Sequence, residues 1–315
     1  MSAAMTMLDL VNEYLGARRS LGYSLRVDGA QLQNFARFAD AEGHRGPLTI
    51  ALILRWVMLP GRRARSFPGR RLDCIRPFAG ARAAVDSANE VPPRGLVGPP
   101  RRRPLHHIYA DTEVSALIAT ARALGPGLRG ATYATLFGLL AATGLRVSEA
   151  RRLTLTDVDL VDGVLRINET KFRKSRLVPM HSTTTAALRS YAIQRDRVVW
   201  PQQTAAFLVG ARGTRLPYST ICTVFQHLRR ALGWEQLNPR PRIHDLRHTF
   251  ACRRLRDWYA AGVDVAPLVA SLATYLGHSH VTDTYWYLTA SPDLLAQAAD
   301  RFAAFEPSTM QDGAQ

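Results

Sequence analysis

The chain has 315 residues with 41 lysines and arginines against 25 acids, a formal net charge of +16 that favours a nucleic-acid partner. Its length allows two domains with separate cores, and no apolar run in its 47% hydrophobic composition approaches the length of a membrane span. Three widely spaced cysteines, Cys74, Cys222 and Cys252, argue against a disulfide framework or a zinc ribbon and fit small core residues in a reducing cytoplasm.

The opening stretch MSAAMTMLDLVNEYL lacks a basic start followed by an apolar block, so no secretion signal is expected. Leu8, Val11, Tyr14, Leu15 and Leu21 stand near helical spacing, as do Leu32, Phe35 and Phe38 in a second segment that ends at Gly43. ALILRWVML is a third apolar stretch, and residues from about Arg70 to Ala88 make a fourth helix. Between Pro60 and Arg82 lie Arg62, Arg63, Arg65, Arg70, Arg71, Arg76 and Arg82. They form a candidate phosphate-facing surface, because arginine suits bidentate phosphate contacts. The competing explanations are a solvated helix face and an arginine-rich proteome from a high-GC genome.

Composition changes at VPPRGLVGPPRRRP, whose prolines and glycines exclude regular helix. The expected organisation is a helical domain over 1–90 whose arginines make it a candidate DNA-binding unit, a basic linker over 91–104, a second domain over 105–290, and a C-terminal helix and tail over 291–315. The second domain begins with a helix that Asp111 can cap, followed by a buried helix, TYATLFGLLAATG, stopped by Gly144. GVLRINET and SRLVPM read as strands joined across KFRK as a basic hairpin, and STICTVFQHLRRALG as an amphipathic helix. The tail has Ser291 as cap, Pro292 at the first helical position, and Leu294, Leu295, Ala298, Phe302 and Phe305 in helical register. The fold class expected is mainly α with a small β-sheet in the second domain.

Five stretches carry candidate chemistry: TGLRVSEA with Arg146, ETKFRKSRLVPM with Lys171, HDLRHTF with His244 and Arg247, LGHSH with His278, and TYWYL with Tyr287. Two arginines can clamp the nonbridging oxygens of a phosphodiester, and a lysine on a hairpin can protonate a departing oxygen. Histidines can orient or deprotonate the attacking group. A tyrosine becomes a nucleophile once cationic neighbours favour its phenolate. No carboxylate cluster suited to Mg²⁺ is visible, so no metal or other cofactor is expected. His244 and His248 stand four apart, and His278 and His280 could complete a zinc site, but Asp245 occupies the place where a metalloprotease helix needs glutamate. His248 reads instead as a capping or core histidine.

Taken together, ATGLRVSEARRL, HDLRHTFA and YLGHS…TYWY, in that order, resemble the boxes of the tyrosine recombinase (phage integrase) family over about residues 105–290. The resemblance implies that 1–90 is a core-binding domain and 105–290 the catalytic domain, which performs site-specific DNA cleavage and rejoining through a 3′-phosphotyrosyl intermediate, without metal or ATP. It makes Arg146 and Arg247 the phosphate clamp and Lys171 the general acid on the 5′ oxygen. His244 would assist the nucleophile's proton or hold phosphate, His278 would bond a phosphate oxygen, and Glu149 would orient its neighbours. The family's nucleophile lies nine residues beyond its Leu-Gly-His histidine, which selects Tyr287 over Tyr285. Residues two apart on a helix point about 200° apart, so Tyr285 and Trp286 are left to packing or DNA-backbone contacts. Lys174, Arg173 and Arg176 are likewise expected on the DNA backbone.

The partners implied are double-stranded DNA and a homotetramer on two paired sites, with or without accessory or related subunits, in the cytoplasm at the nucleoid and not at a membrane. The apolar stripe of the C-terminal helix suggests docking on a neighbouring protomer, with packing on its own domain as the alternative. TYWYL and ETKFRKS resemble recombinases of bacterial transposable elements. A type IB topoisomerase and a non-catalytic DNA-binding regulator are the rival functions, and a metal-dependent nuclease lacks the acid cluster it would need.

Overall fold

The computed structural model describes residues 5–60, 68–97, 105–168, 175–198, 204–278, 280–282, 284 and 285. The chain divides into two compact units, Met1–Arg103 and Pro104–Gln315.

The first unit holds α1 (Met7–Ser20), α2 (Arg26–Ala41), α3 (Ile50–Val57) and α4 (Pro68–Val85). Thr6 and Asp9 form a capping box at the start of α1, and the Asp40 carboxylate also takes the Met7 and Leu8 amides at 2.9 and 3.0 Å. Three orphan donors of α1 are thereby satisfied, one by its own cap and two by α2. The core gathers Val11, Leu15, Phe35, Ile53, Trp56, Ile75 and Phe78, all fully buried. Trp56 meets Phe35 edge-on at 5.4 Å and donates its indole N–H to Asn34, so its one polar atom is satisfied.

The arginine-rich stretch divides in use. Arg71 donates to the carbonyls of Trp56, Val57 and Leu59, closing the C-terminal end of α3, and lies over the Trp56 ring. Arg76 is committed to the carbonyls of Pro92 and Pro93 and to Asp73. These two are internal braces rather than parts of a phosphate-facing surface. Arg62, Arg63 and Arg65 lie outside the described residues.

The second unit runs α5 (Asp111–Arg122), α6 (Leu128–Thr143), α7 (Val147–Ala150), β1 (Val158–Asp159), β2 (Val164–Ile167), β3 (Arg176–Pro179), α8 (Ser182–Val198), α9 (Tyr218–Ala231), α10 (Asp245–Ala260) and α11 (Val265–Leu276). Helix α5 departs from expectation at its start. Ala110 is the N-cap, the Glu113 carboxylate receives the Ala110 amide at 2.8 Å, and Asp111 pairs with Arg253 instead of capping.

Helix α6 is buried on nearly every side, with Leu136, Phe137, Leu139 and Leu140 at its centre. The three strands form an antiparallel sheet in the order β1-β2-β3, with Leu165 opposite Val178 and Ile167 opposite Arg176. Leu165, Ile167 and Val178 are buried on one face, the alternation a half-covered sheet requires. A further apolar cluster joins α10 to α11 through Phe250, Leu255, Val269, Leu272 and Leu276. No described helix is long and apolar enough to cross a membrane.

Candidate active site

Helix α6 stops at Gly144, whose φ of +63° is left-handed and whose missing side chain matters as much. A Cβ there would come within 2.6 Å of Phe250 Cδ1 and 3.0 Å of Leu276 Cδ2. Two residues on, Arg146 caps α7, with its backbone N–H donated to Glu149 Oε2 at 3.0 Å. Its guanidinium donates from Nη1 to Glu149 Oε1 at 2.8 Å and from Nη2 to the Gly277 carbonyl at 3.1 Å. Arg176 reaches the same carboxylate from β3. Burial raises the Glu149 pKa, but the hydrogen bonds and charge of Arg176, with those of Arg146, outweigh it and hold the carboxyl below its ordinary range.

The end of α11 is bound by three arginines in succession. Arg176 Nε donates to the Tyr275 carbonyl at 2.7 Å, Arg247 Nη2 to the Leu276 carbonyl at 2.8 Å, and Arg146 to that of Gly277. A helix C-terminus offers unpaired carbonyls and partial negative charge, so cations are favoured there. Arg247, 2% exposed on α10, also donates from Nη1 to the Gly144 carbonyl at 2.9 Å and so joins the ends of α6 and α11. The turn at Gly277, with φ of +70°, then delivers His278, whose Nδ1 lies 2.7 Å from Thr284 Oγ1.

His244 is the residue from which α10 starts. Although it reaches the surface, loss of water around its ring, followed by the charge of Arg247, pushes its pKa down to about 4, with Asp245 opposing. Arg146 contributes in the same direction, which places all three of these groups in one electrostatic neighbourhood. His248 lies one turn further, buried, its pKa pushed down to about 2 by burial and then by His106 and His244. Its ring stacks on His106 with centroids 3.4 Å apart and meets His244 edge-on at 5.0 Å. Of the capping and core roles expected for His248 the burial fits the core one, with a neighbour, His106, that the sequence did not suggest.

The structure therefore brings Arg146, His244, Arg247 and His278 together with Glu149, from three separate stretches of chain. Lys171, Tyr287, Trp286, Arg173 and Lys174 lie outside the described residues. Tyr285 is 48% exposed. Arg176 departs from expectation: its side chain is 10% exposed and tied to Glu149 and Tyr275, so it is a brace of the site and not a group turned to a DNA backbone. Arg242, Asp245 and His106 escaped sequence reading. Only Asp245 offered a signal, as an acid inside the HDLRHTF motif.

Among the described residues, the cluster with metal-like spacing is His106, Asp245 and His248, with ligand atoms within 4.8 Å of one another. It differs from the grouping weighed on sequence. Arg242 Nη2 lies 2.9 Å from both His106 Nδ1 and Asp245 Oδ1, so a guanidinium already supplies the positive charge in that cluster.

Residues 109–293 match the phage integrase family. A putative integrase/recombinase, y4rB of Sinorhizobium fredii (strain NBRC 101917 / NGR234), is 41% identical over 306 residues, covering 94% of this chain and 96% of its own. The chain belongs to the phage integrase family. It is accordingly a tyrosine recombinase, an enzyme of site-specific recombination. The tyrosine recombinase XerC of Pelobacter propionicus (strain DSM 2379 / NBRC 103807 / OttBd1) is 27% identical over 312 residues, 96% of each chain. The fold is shared with the Tn1549 transposon integrase solved in complex with circular intermediate DNA, at a TM-score of 0.66 and 17% identity, covering 95% of this recombinase and 100% of that chain. Relatives of this kind do not favour the topoisomerase or regulator readings.

Proposed function

We propose that this recombinase binds double-stranded DNA and exchanges strands at specific sites through a phosphotyrosyl intermediate, with Tyr287 as nucleophile. The observation that carries the site assignment is the convergence of Arg146, Arg247, His244 and His278 around the C-terminal end of α11. Arginines fixed in this way are preorganised for a phosphate carrying developing charge, the condition under which electrostatic stabilisation is largest. The neighbouring integrase of the same fold was solved on DNA, and the net charge of +16 fits a polyanionic partner.

The chemistry balances within the protein and its substrate. The Tyr287 oxygen attacks phosphorus, with His244 receiving or ordering the phenol proton. The bond to the 5′ oxygen breaks, and Lys171 donates a proton to it. The result is a 3′-phosphotyrosine and a free 5′ hydroxyl. Attack by a partner strand's 5′ hydroxyl reverses each transfer and releases Tyr287, so the phosphoester energy is kept and no nucleotide is consumed. Arg146 and Arg247 hold the nonbridging oxygens, with His278 on one of them.

Covalent capture tests this reading. The protein is incubated with sheared DNA of its host in EDTA and denatured, and the ends of DNA fixed to protein are sequenced. Adducts lost in Tyr287→Phe and retained in Tyr285→Phe, with ends converging on one motif, are expected. Adducts that survive in Tyr287→Phe and vanish in Tyr285→Phe would move the nucleophile to Tyr285.

Assembly as four protomers on two paired sites is the second part of the proposal, with the C-terminal helix after Ser291 docking on a neighbour. That segment lies outside the described residues. Deleting residues 292–315 should leave DNA binding intact and abolish tetramers. Gel filtration with bound site DNA that still shows tetramers would rule out the docking role.

A further inference from the structure

The stretch that leads into α5 is fastened along α10. Arg242 Nη2 donates to the Leu105 carbonyl at 3.3 Å, and the Tyr109 amide donates to Thr249 Oγ1 at 2.9 Å. Tyr109 also donates its phenol to the Arg242 carbonyl at 3.0 Å, while its own carbonyl receives Arg253 at 2.8 Å. In the middle of this seam, His106 Nδ1 lies 3.1 Å from Asp245 Oδ1 and 2.9 Å from Arg242 Nη2. A protonated Nδ1 donates to the carboxylate, and an unprotonated one accepts from the guanidinium. Either tautomer fixes the ring.

What the ring does there follows from its neighbours. It stacks on His248 at 3.4 Å, and His248 meets His244 edge-on at 5.0 Å. Three imidazoles thus form a ladder from the Asp245–Arg242 pair to His244. Asp245 is fully buried and receives both the Arg242 amide at 2.9 Å and its guanidinium, so the foot of the ladder is rigid. His244 itself has no side-chain capping bond at the helix start. Its ring reaches the surface on one side, and on the other its edge-on neighbour is the buried His248 ring.

We infer that His106 is a positioning residue for His244, acting through the His248 ring. The inference rests on the reading in which His244 serves the nucleophile. It adds that the angle of that imidazole is imposed from the segment entering the catalytic unit, by a ring that touches no substrate.

The test is a double-mutant cycle in the full-length protein, using the duplex identified by covalent capture, with single-turnover cleavage and DNA dissociation constants measured separately. His106→Asn keeps an acceptor and donor near the Nδ1 position and removes the stack. His106→Phe keeps the stack and removes the polar contacts. His106→Asn is expected to slow cleavage by about tenfold or more at an unchanged dissociation constant, a modest part of what general acid–base catalysis contributes. His106→Phe is expected to stay within about threefold of wild type. In the His244→Gln background, His106→Asn should cost nothing further, since groups acting through one another are non-additive. Losses that multiply in the double variant would overturn the inference, as would a wild-type rate in His106→Asn beside a slow His244→Gln. A wild-type rate in His244→Gln would instead refute the role of His244 on which it rests. If His106→Asn melts within the assay range, a tenfold loss in a stable His106→Phe would equally overturn the stack as the link.

Discussion

Arg176 places Nη1 and Nη2 on the two carboxylate oxygens of Glu149, at 3.2 and 2.9 Å. Arg146 shares that carboxylate, so one buried acid balances two guanidinium groups that come from the N-cap of α7 and from β3. Breaking a buried ion pair costs about 3–5 kcal/mol because a charge is left behind without a partner. Arg146 is 33% exposed and can recover water, whereas Arg176, at 10%, cannot do so without moving.

Glu149→Ala is therefore expected to lower stability by about 3 kcal/mol, read as a fall in the urea midpoint at neutral pH, and to slow cleavage by loosening Arg146. The acid limb should change too. The Glu149 pKa is lowered on folding, so its contribution is present above the ordinary carboxylate value of 4.5 and is lost as pH falls through the folded value. A variant with an unchanged midpoint at pH 7 would show that the shared carboxylate is not what holds β3 to the site.

How far the sequence revealed this site depends on which physical rule each residue obeys. Arg146, Arg247, His244 and His278 stood out because they fall in motifs that resemble the family's boxes, and the structure groups these four side chains around the end of α11. Helices α6 and α9 were legible because apolar residues repeat on one face or all round. Helix α10 hides its periodicity, since Asp245, Arg247, His248 and Thr249 are all buried and the apolar pattern breaks where the chemistry sits. Helix α8 is obscured in the same way by buried Thr185 and Arg195. The strand β1 has two residues, too few for alternation to register. Arg176 and His106 were missed for a different reason: their partners lie 27 and 139 residues away, and no local pattern encodes such a contact.

His248 gives a pH dependence with a definite sign. Its pKa falls from 6.5 to about 2 on folding, through burial first and then His106 and His244. Below pH 6.5 the unfolded chain takes up a proton that the folded chain refuses. The stability contribution is thus full above pH 6.5 and is lost as pH falls, at a slope approaching about 1.4 kcal/mol per pH unit. Urea midpoints collected from pH 7.5 down to 5 should fall less steeply in His248→Phe than in wild type. Parallel curves would mean that His248 titrates normally in the folded protein.

Gly277 is held by two independent constraints. Its φ of +70° is a conformation L residues rarely adopt, and a Cβ would stand 2.6 Å from Arg176 Nη1 and 2.9 Å from Cζ. Gly277→Ala should cost more than the ~1 kcal/mol typical of a backbone mismatch, because the guanidinium must also leave either Glu149 or Tyr275. The distinguishing measurement is the double variant Gly277→Ala/Arg176→Ala. If the clash contributes, the pair will be less destabilised than the sum of the two single variants; strict additivity would leave the backbone conformation as the whole cost.

Lys171 and Lys174 are the only lysines in the chain, and both fall between β2 and β3, among residues 169–174 that lie outside the described structure. The proposed general acid is therefore one of two amines in a protein otherwise charged by arginine, and arginine cannot give up its proton at neutral pH. Lys171→Ala should slow cleavage by about 10²–10⁴-fold, the usual contribution of a positioned acid, with DNA affinity nearly unchanged. Replacing the bridging 5′ oxygen of the scissile phosphate with sulfur offers the decisive control. A thiol has a pKa of about 8.5 and leaves as the thiolate without a proton. On that substrate Lys171→Ala should regain a near wild-type rate, whereas Arg146→Ala, which removes phosphate stabilisation, should remain slow. Rescue of Lys174→Ala but not of Lys171→Ala would transfer the acid to Lys174. Failure to rescue either would remove general-acid catalysis from this segment and leave its lysines as phosphate contacts.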